Sequence, residues 1–144
     1  MKKYLGLDLG TTTVGIATND SLGISVHPVE TFRFEPGNFK AAREHVVELC
    51  HKEGIKDIVL GMPLYQSGDL SPHAQSCIRF RDDLLKMDPS LNIEMVDESF
   101  STIEADEKLK ATTNLSYDKR KRIIDECAAV VILERFLYSK GEMK

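Results

Sequence analysis

Tyr4-Leu5-Gly6-Leu7-Asp8-Leu9-Gly10-Thr11-Thr12-Thr13 is the stretch from which the chain is best read. Its first six residues are apolar or small apart from one carboxylate, and a glycine followed by threonines closes them, which is a strand running into a turn. A charge in so apolar a run is costly unless hydrogen-bond donors, a cationic partner or a metal ion compensates it. Asp8 is therefore the first candidate functional residue, and the remaining sequence is searched for residues that join it.

Working outward, residues 14–18 form a second strand after a short turn, 19–23 a turn cluster, and 24–32 a third strand in which Pro28 implies a sheet edge or a bulge. Three strands with such short connections make an antiparallel meander. Asn38 is then placed to cap a helix whose apolar stripe is Phe39, Ala42, Val46, Leu49 and Cys50, stopped by Gly54. A short apolar strand over 55–60 ends at Gly61-Met62-Pro63, and a loop follows over 65–69. Ser71 and Pro72 read as the cap and first residue of a second helix, with Ala74, Cys77, Ile78, Leu84 and Leu85 on its stripe and Asp88-Pro89-Ser90 at its end. Residues 92–97 are a fifth strand. Ser101-Thr102-Ile103-Glu104 is a capping box opening a third helix, residues 111–115 are polar, and a last helix spans 117–138. The order β-β-β-α-β-α-β-α-α predicts an α/β fold. Its mixed five-stranded sheet starts with an antiparallel β1-β2-β3 meander, continues in βαβα units and carries helices on both faces, as one domain over 1–144.

With 42% hydrophobic and 29% charged residues the chain is globular. No apolar run reaches the roughly 20 residues that span a bilayer, and Met1-Lys2-Lys3-Tyr4 leads directly into the strand rather than into a secretory signal, so a cytoplasmic protein is expected. Cys50 and Cys127 fall on apolar helical stripes and read as small core residues. The three cysteines form no CxxC pair, which argues against structural zinc. A net charge of −4 argues against a surface coated in positive charge, while leaving room for a local basic patch.

Two further acids stand out. Glu98 lies just past the fifth strand, where ligand groups gather in α/β sheets, although Asp97-Glu98 is also ordinary turn chemistry before a helix. Asp125 shares a helix face with Ala128, Ala129, Ile132 and Phe136. It either continues a buried stripe, or is a charge at the edge of the face or one paired with Arg122 on the preceding turn. Hard carboxylate oxygens from Asp8, Glu98 and Asp125 at one place would suit Mg²⁺ or Mn²⁺. Two such ions roughly 3.5–4 Å apart can activate water and stabilise a leaving oxygen in phosphodiester hydrolysis. His27, His45, His51 and His73 are scattered and suggest no nucleophilic triad.

Asp8-Leu9-Gly10-Thr11, Gly61-Met62-Pro63-Leu64, Asp97-Glu98 with Ser101-Thr102-Ile103-Glu104-Ala105, and Ile124-Asp125-Glu126-Cys127-Ala128-Ala129 follow one another along almost the whole chain. In this ordered set the chain resembles the bacterial YqgF/RuvX family, Holliday junction resolvases also described as pre-16S rRNA nucleases. The resemblance implies a ribonuclease H-like fold and a metal-dependent endonuclease with Asp8, Glu98 and Asp125 as its acidic triad. Two positions depart from the family pattern: Ser99 stands where an arginine is usual, and Tyr65 where an asparagine is common, which bears on phosphate contact and substrate preference.

Candidate substrate-binding residues are Gly10, Thr11 and Thr12 in the first turn, Tyr65, Ser99, Thr102, and the basic run with Lys119, Arg120 and Arg122, supported by Lys108 and Lys110. The plainer readings are a tight hairpin turn for the former and a solvated helix start for the latter. The expected partner is nucleic acid, pre-rRNA or branched DNA, on a ribosome precursor or free, with the protein a monomer or homodimer and no membrane association. Alternative functions are a Holliday junction resolvase, a noncatalytic RNA-binding ribosome-assembly factor, and an actin- or sugar-kinase-like ATP-binding domain suggested by Asp-x-Gly-Thr-Thr. The ATP-binding reading is disfavoured because no second phosphate loop follows.

Overall fold

The computed structural model describes residues 2–20, 25–62, 71–97 and 117–140, with the side chains of 117–126 outside that description. Strands β1 (Tyr4–Leu9), β2 (Thr13–Asn19), β3 (Val26–Arg33), β4 (Asp57–Met62) and β5 (Asn92–Asp97) form one sheet in the order β3-β2-β1-β4-β5. The meander is antiparallel, and β4 and β5 run parallel to β1. The parallel strands are joined through helices α1 (Phe39–Glu53) and α2 (Pro72–Met87), and the last described helix is α3 (Tyr117–Ser139). The result is the expected mixed five-stranded α/β sheet with helices on both faces.

Strand alternation sorts the two layers. Leu5, Leu7, Leu9, Val14, Ile16, Ile58 and Leu60 point to α1 and α2 and meet Val46, Cys50, Cys77, Phe80 and Leu84. Tyr4 and Val59 point to the opposite face and pack on Ile132, Leu133, Phe136 and Leu137 of α3. Ala128, Ala129, Ile132 and Phe136, the stripe read from the sequence, are all buried.

The local signals hold. Asn38 caps α1 through its side chain, Gly54 ends α1 in the left-handed conformation at φ 68°, and Ser71 accepts from the Ala74 amide at the start of α2. Pro28 does both things open to it: β3 is an edge strand, and its register against β2 shifts where Ile16 pairs with Glu30 but Ala17 with Pro28, leaving Val29 as the bulged residue. Cys50 and Cys77 are buried, whereas Cys127 is only half-buried, so it is a fringe residue and not a core one. The capping box at 101–104 and the helix it would open lie outside the described residues.

Candidate functional site

Because Leu5, Leu7 and Leu9 fill the α1–α2 side, alternation turns Tyr4, Gly6 and Asp8 toward α3. Asp8 is half-buried near the carboxyl end of β1. Its partner across the antiparallel ladder is Gly15. On the other side Leu7 pairs with Leu60 of β4, so continuing the parallel register by one residue brings Gly61 beside Asp8. The carboxylate therefore has glycine as its same-face neighbour on both adjoining strands. Neither Gly15 nor Gly61 was singled out as a site residue by the sequence. The available signal was a glycine inside a strand, which marks a close approach or a vacancy beside a ligand.

The direction of α3 follows from two contacts on β1. The rings of Tyr4 and Phe136 stand 5.2 Å apart, and Gly6 lies directly under Ala129 and Leu133. Moving up the strand corresponds to moving back along the helix, so α3 runs antiparallel to β1. Two residues of strand, Gly6 to Asp8, advance about 6.6 Å at roughly 3.3 Å per residue. One helical turn back from Ala129 to position 125 advances about 6 Å at 1.5 Å per residue. Going back along α3 from Ala129 toward position 125 is thus going from Gly6 toward the Asp8 end of β1.

At the same end of the sheet, Met62 pairs with Asp97, the last residue of β5. Glu98 follows directly in sequence and lies outside the described residues, as do Tyr65, Ser99, Thr102, Lys108 and Lys110. Lys119, Arg120 and Arg122 lie on α3, before position 125. Among the described residues no group of three His, Cys, Asp or Glu side chains gathers as a metal site, and of the three candidate acids only Asp8 has a described side chain.

The Gly10–Thr13 segment is a tight hairpin. The Gly10 amide donates to the Thr13 carbonyl at 2.7 Å, which leaves Thr11 exposed at the tip. The turn is anchored from β3's end by the Phe34 amide, which donates to the Thr12 carbonyl at 2.9 Å. The exposed hydroxyl of Thr11 and the backbone of this turn therefore lie at the carboxyl end of β1, beside Asp8.

Two of the histidines make contacts between elements. His45 stacks on Phe32 with ring centroids 4.1 Å apart and hydrogen-bonds Glu30, tying α1 to β3. His51 meets the Asp88 carboxylate at 2.9 Å. Around that pair lies a cavity of about 480 Å³ lined by Cys50, Gly54, Ile55, Lys56, Met87 and Ser90 as well, at the amino ends of β4 and β5 and so at the opposite pole from Asp8. The Ser90 hydroxyl and amide and His51 hold the Asp88 carboxyl down at about 2. Burial, reinforced by the negative charge of Asp88, pushes the Cys50 thiol up to about 11. A thiol so strongly protonated is no nucleophile at neutral pH, so Cys50, His51 and Asp88 do not form a catalytic triad.

Comparison with known proteins fits this geometry. The family described as "RuvX: Holliday junction resolvase" matches residues 2–139. A protein of Bacillus thuringiensis (strain Al Hakam) named "Putative pre-16S rRNA nuclease" is 36% identical over 138 residues, covering 96% of this chain and 99% of that protein. Among solved structures, Thermus thermophilus RuvC in complex with a Holliday junction substrate superposes with a TM-score of 0.58 at 13% identity, covering 99% of this chain and 98% of the other. The fowlpox virus Holliday junction resolvase gives 0.57 at 12% identity, with 96% and 99% covered. At these identities the structural neighbours speak for the fold, the resolvase type of α/β sheet.

Proposed function

The chain belongs to the RuvX family, and from that premise we propose that it is a metal-dependent endonuclease of structured nucleic acid that matures the 5′ end of pre-16S rRNA. The observation that carries the proposal is the setting of Asp8. It is a half-buried carboxylate on the α3 face, flanked in the sheet by Gly15 and Gly61, in a chain that is 36% identical along almost its whole length to a protein named as a pre-16S rRNA nuclease.

Asp8 suits a cation. Its oxygens are hard donors, and its neighbours in the ladder, Gly15 and Gly61, put no side chain of their own against it. Asp8, Glu98 and Asp125 would hold Mg²⁺ or Mn²⁺, two ions in our reading, which when bound supply an activated water and stabilise charge on the leaving oxygen. The chain's own work is positional. The β1–β2 hairpin presents the exposed Thr11 and the Gly10–Thr12 backbone to a phosphate beside Asp8. Lys119, Arg120 and Arg122 are assigned to further phosphates of the same strand, with Tyr65, Ser99 and Thr102 completing the substrate contacts. A protein of net charge −4 can grip nucleic acid only where such cations are concentrated.

In this reading residues 1–144 act as one nuclease domain, monomeric or homodimeric, on a ribosome precursor in the cytoplasm. Among the described residues no helix is long and apolar enough to cross a membrane. A second reading, resolution of branched DNA, is favoured by the family description. Depletion of the protein in cells separates the two: accumulation of 16S rRNA with an extended 5′ end supports rRNA maturation, while normal 5′ ends with unresolved recombination intermediates support the junction reading.

A further inference from the structure

We infer that Gly6 is a positioning residue of the site, setting the height of α3 above β1 and through it the separation between Asp8 and position 125. This rests on the reading of Asp8 and Asp125 as joint ion ligands. A methyl group built on Gly6 would stand 2.9 Å from the Cβ of Leu133 and 3.1 Å from the backbone oxygen of Ala129. Both neighbours are fixed: one is the first atom of a side chain buried to 0% exposure, the other is helix backbone. Neither can swing aside, so any side chain at position 6 must lift the helix by tenths of an ångström.

The contact is also where leverage on the site is greatest. Gly6 and Asp8 are successive residues on the same face of β1, and Ala129 is one turn from position 125. The residue paired with Gly6 on β2 is Ala17, and Ala128 and Ala129 of the helix are fully buried, so the β2 side of the α3 seat at this level is built from small residues, while Val59 pairs with Gly6 on the β4 side. At the other end of the contact, Tyr4 and Phe136 pack through their rings, with centroids 5.2 Å apart. The closest approach of α3 to β1 at Gly6 thus lies two residues from Asp8 and one helical turn from position 125.

The experiment measures Mn²⁺ binding, read as loss of the free-ion paramagnetic resonance signal, and cleavage kinetics on 5′-extended 16S precursor RNA. The proteins compared are the wild type, Gly6→Ala, and Leu137→Ala as a control that opens the same helix–sheet contact away from the site. Gly6→Ala is expected to weaken Mn²⁺ binding about tenfold or more and to lower kcat with KM for RNA unchanged, while Leu137→Ala lowers Tm yet keeps Mn²⁺ affinity within about twofold of the wild type. Ala129→Val lifts the helix from the other side and takes the place of Gly6→Ala if that variant does not fold. Wild-type Mn²⁺ affinity in a folded Gly6→Ala or Ala129→Val protein overturns the inference, as does an equal loss in Leu137→Ala or a wild type that binds no Mn²⁺. A wild type that binds Mn²⁺ but cuts no nucleic acid defeats the nuclease reading instead, and the role of Gly6 is then decided by affinity alone.

Discussion

Asp8 stands opposite Gly15 in the β1–β2 ladder, so the candidate catalytic carboxylate has no side chain beside it on that strand. Cross-strand partners in an antiparallel pair have Cβ atoms about 4.5–5.5 Å apart, so a side chain at position 15 would stand against the Asp8 carboxylate. Gly15→Val is expected to reduce the cleavage rate at saturating metal by about 100-fold, the scale on which a small misplacement of reacting groups acts. The rate is to be compared with the folded fraction from circular dichroism, since the reduction should far exceed any loss of folded protein.

The amino-end pole of the sheet carries an acid-sensitive contact. Asp88 accepts from the Ser90 hydroxyl at 2.6 Å and amide at 3.0 Å and from His51, and its carboxyl titrates at about 2 against an ordinary 3.8. A depressed carboxylate stabilises the folded state above its unfolded value, and that contribution is lost as pH falls through the folded one. The contact should therefore support the fold fully above about pH 4 and fade toward pH 2. Urea titrations from pH 5 to pH 2 should show a shallower acid decline for Asp88→Asn than for the wild type.

Cys50 gives the opposite limb. With its thiol raised from 9.0 to about 11, the protonated form is favoured by folding. Its contribution is complete below pH 9 and is lost as pH rises through 11. In native protein at pH 8, iodoacetamide should modify the half-buried Cys127 well before the buried Cys50 and Cys77, as read by peptide mass spectrometry. Equal labelling of all three would contradict the described packing.

Gly54 ends α1 at φ 68°, and a Cβ there would meet nothing within 4 Å. The penalty of Gly54→Ala is thus purely conformational, about 1 kcal/mol. Urea denaturation should show a lower midpoint with an unchanged m value, and cleavage of nucleic acid should be unaffected because the cap lies at the far pole.

Legibility of the chain tracked how local each signal is. The caps Asn38, Gly54 and Ser71 with Pro72 were readable because a cap is a contact within one turn. β4 begins at Asp57, two residues later than the apolar pattern over 55–60 predicts. Ile55 is apolar, but its amide donates to the Cys50 carbonyl at 2.9 Å, so it belongs to the α1 cap and the ladder begins at Asp57. Asn19 read as a turn residue yet closes β2, fully buried, because its side-chain oxygen accepts from the Tyr4 amide at 2.8 Å and its nitrogen donates to the Lys2 carbonyl at 3.0 Å. No local pattern encodes a partner 15 residues away. Asp8 was visible as a charge in an apolar strand. Gly15 and Gly61 were not visible as its neighbours, since register is a property of the assembled sheet, and the direction of α3 along β1 required its seat on Gly6.

The most direct test is cleavage of a 5′-extended 16S precursor RNA by purified protein with Mg²⁺ or Mn²⁺, comparing the wild type with Asp8→Asn. That substitution keeps the size of the side chain, replaces one acceptor oxygen with an NH2 donor and removes the charge. A metal-dependent product from the wild type and a drop of at least about 1,000-fold in Asp8→Asn, in line with losing a group that acts in the transition state, is the result expected. Cleavage by Asp8→Asn at the wild-type rate would contradict it.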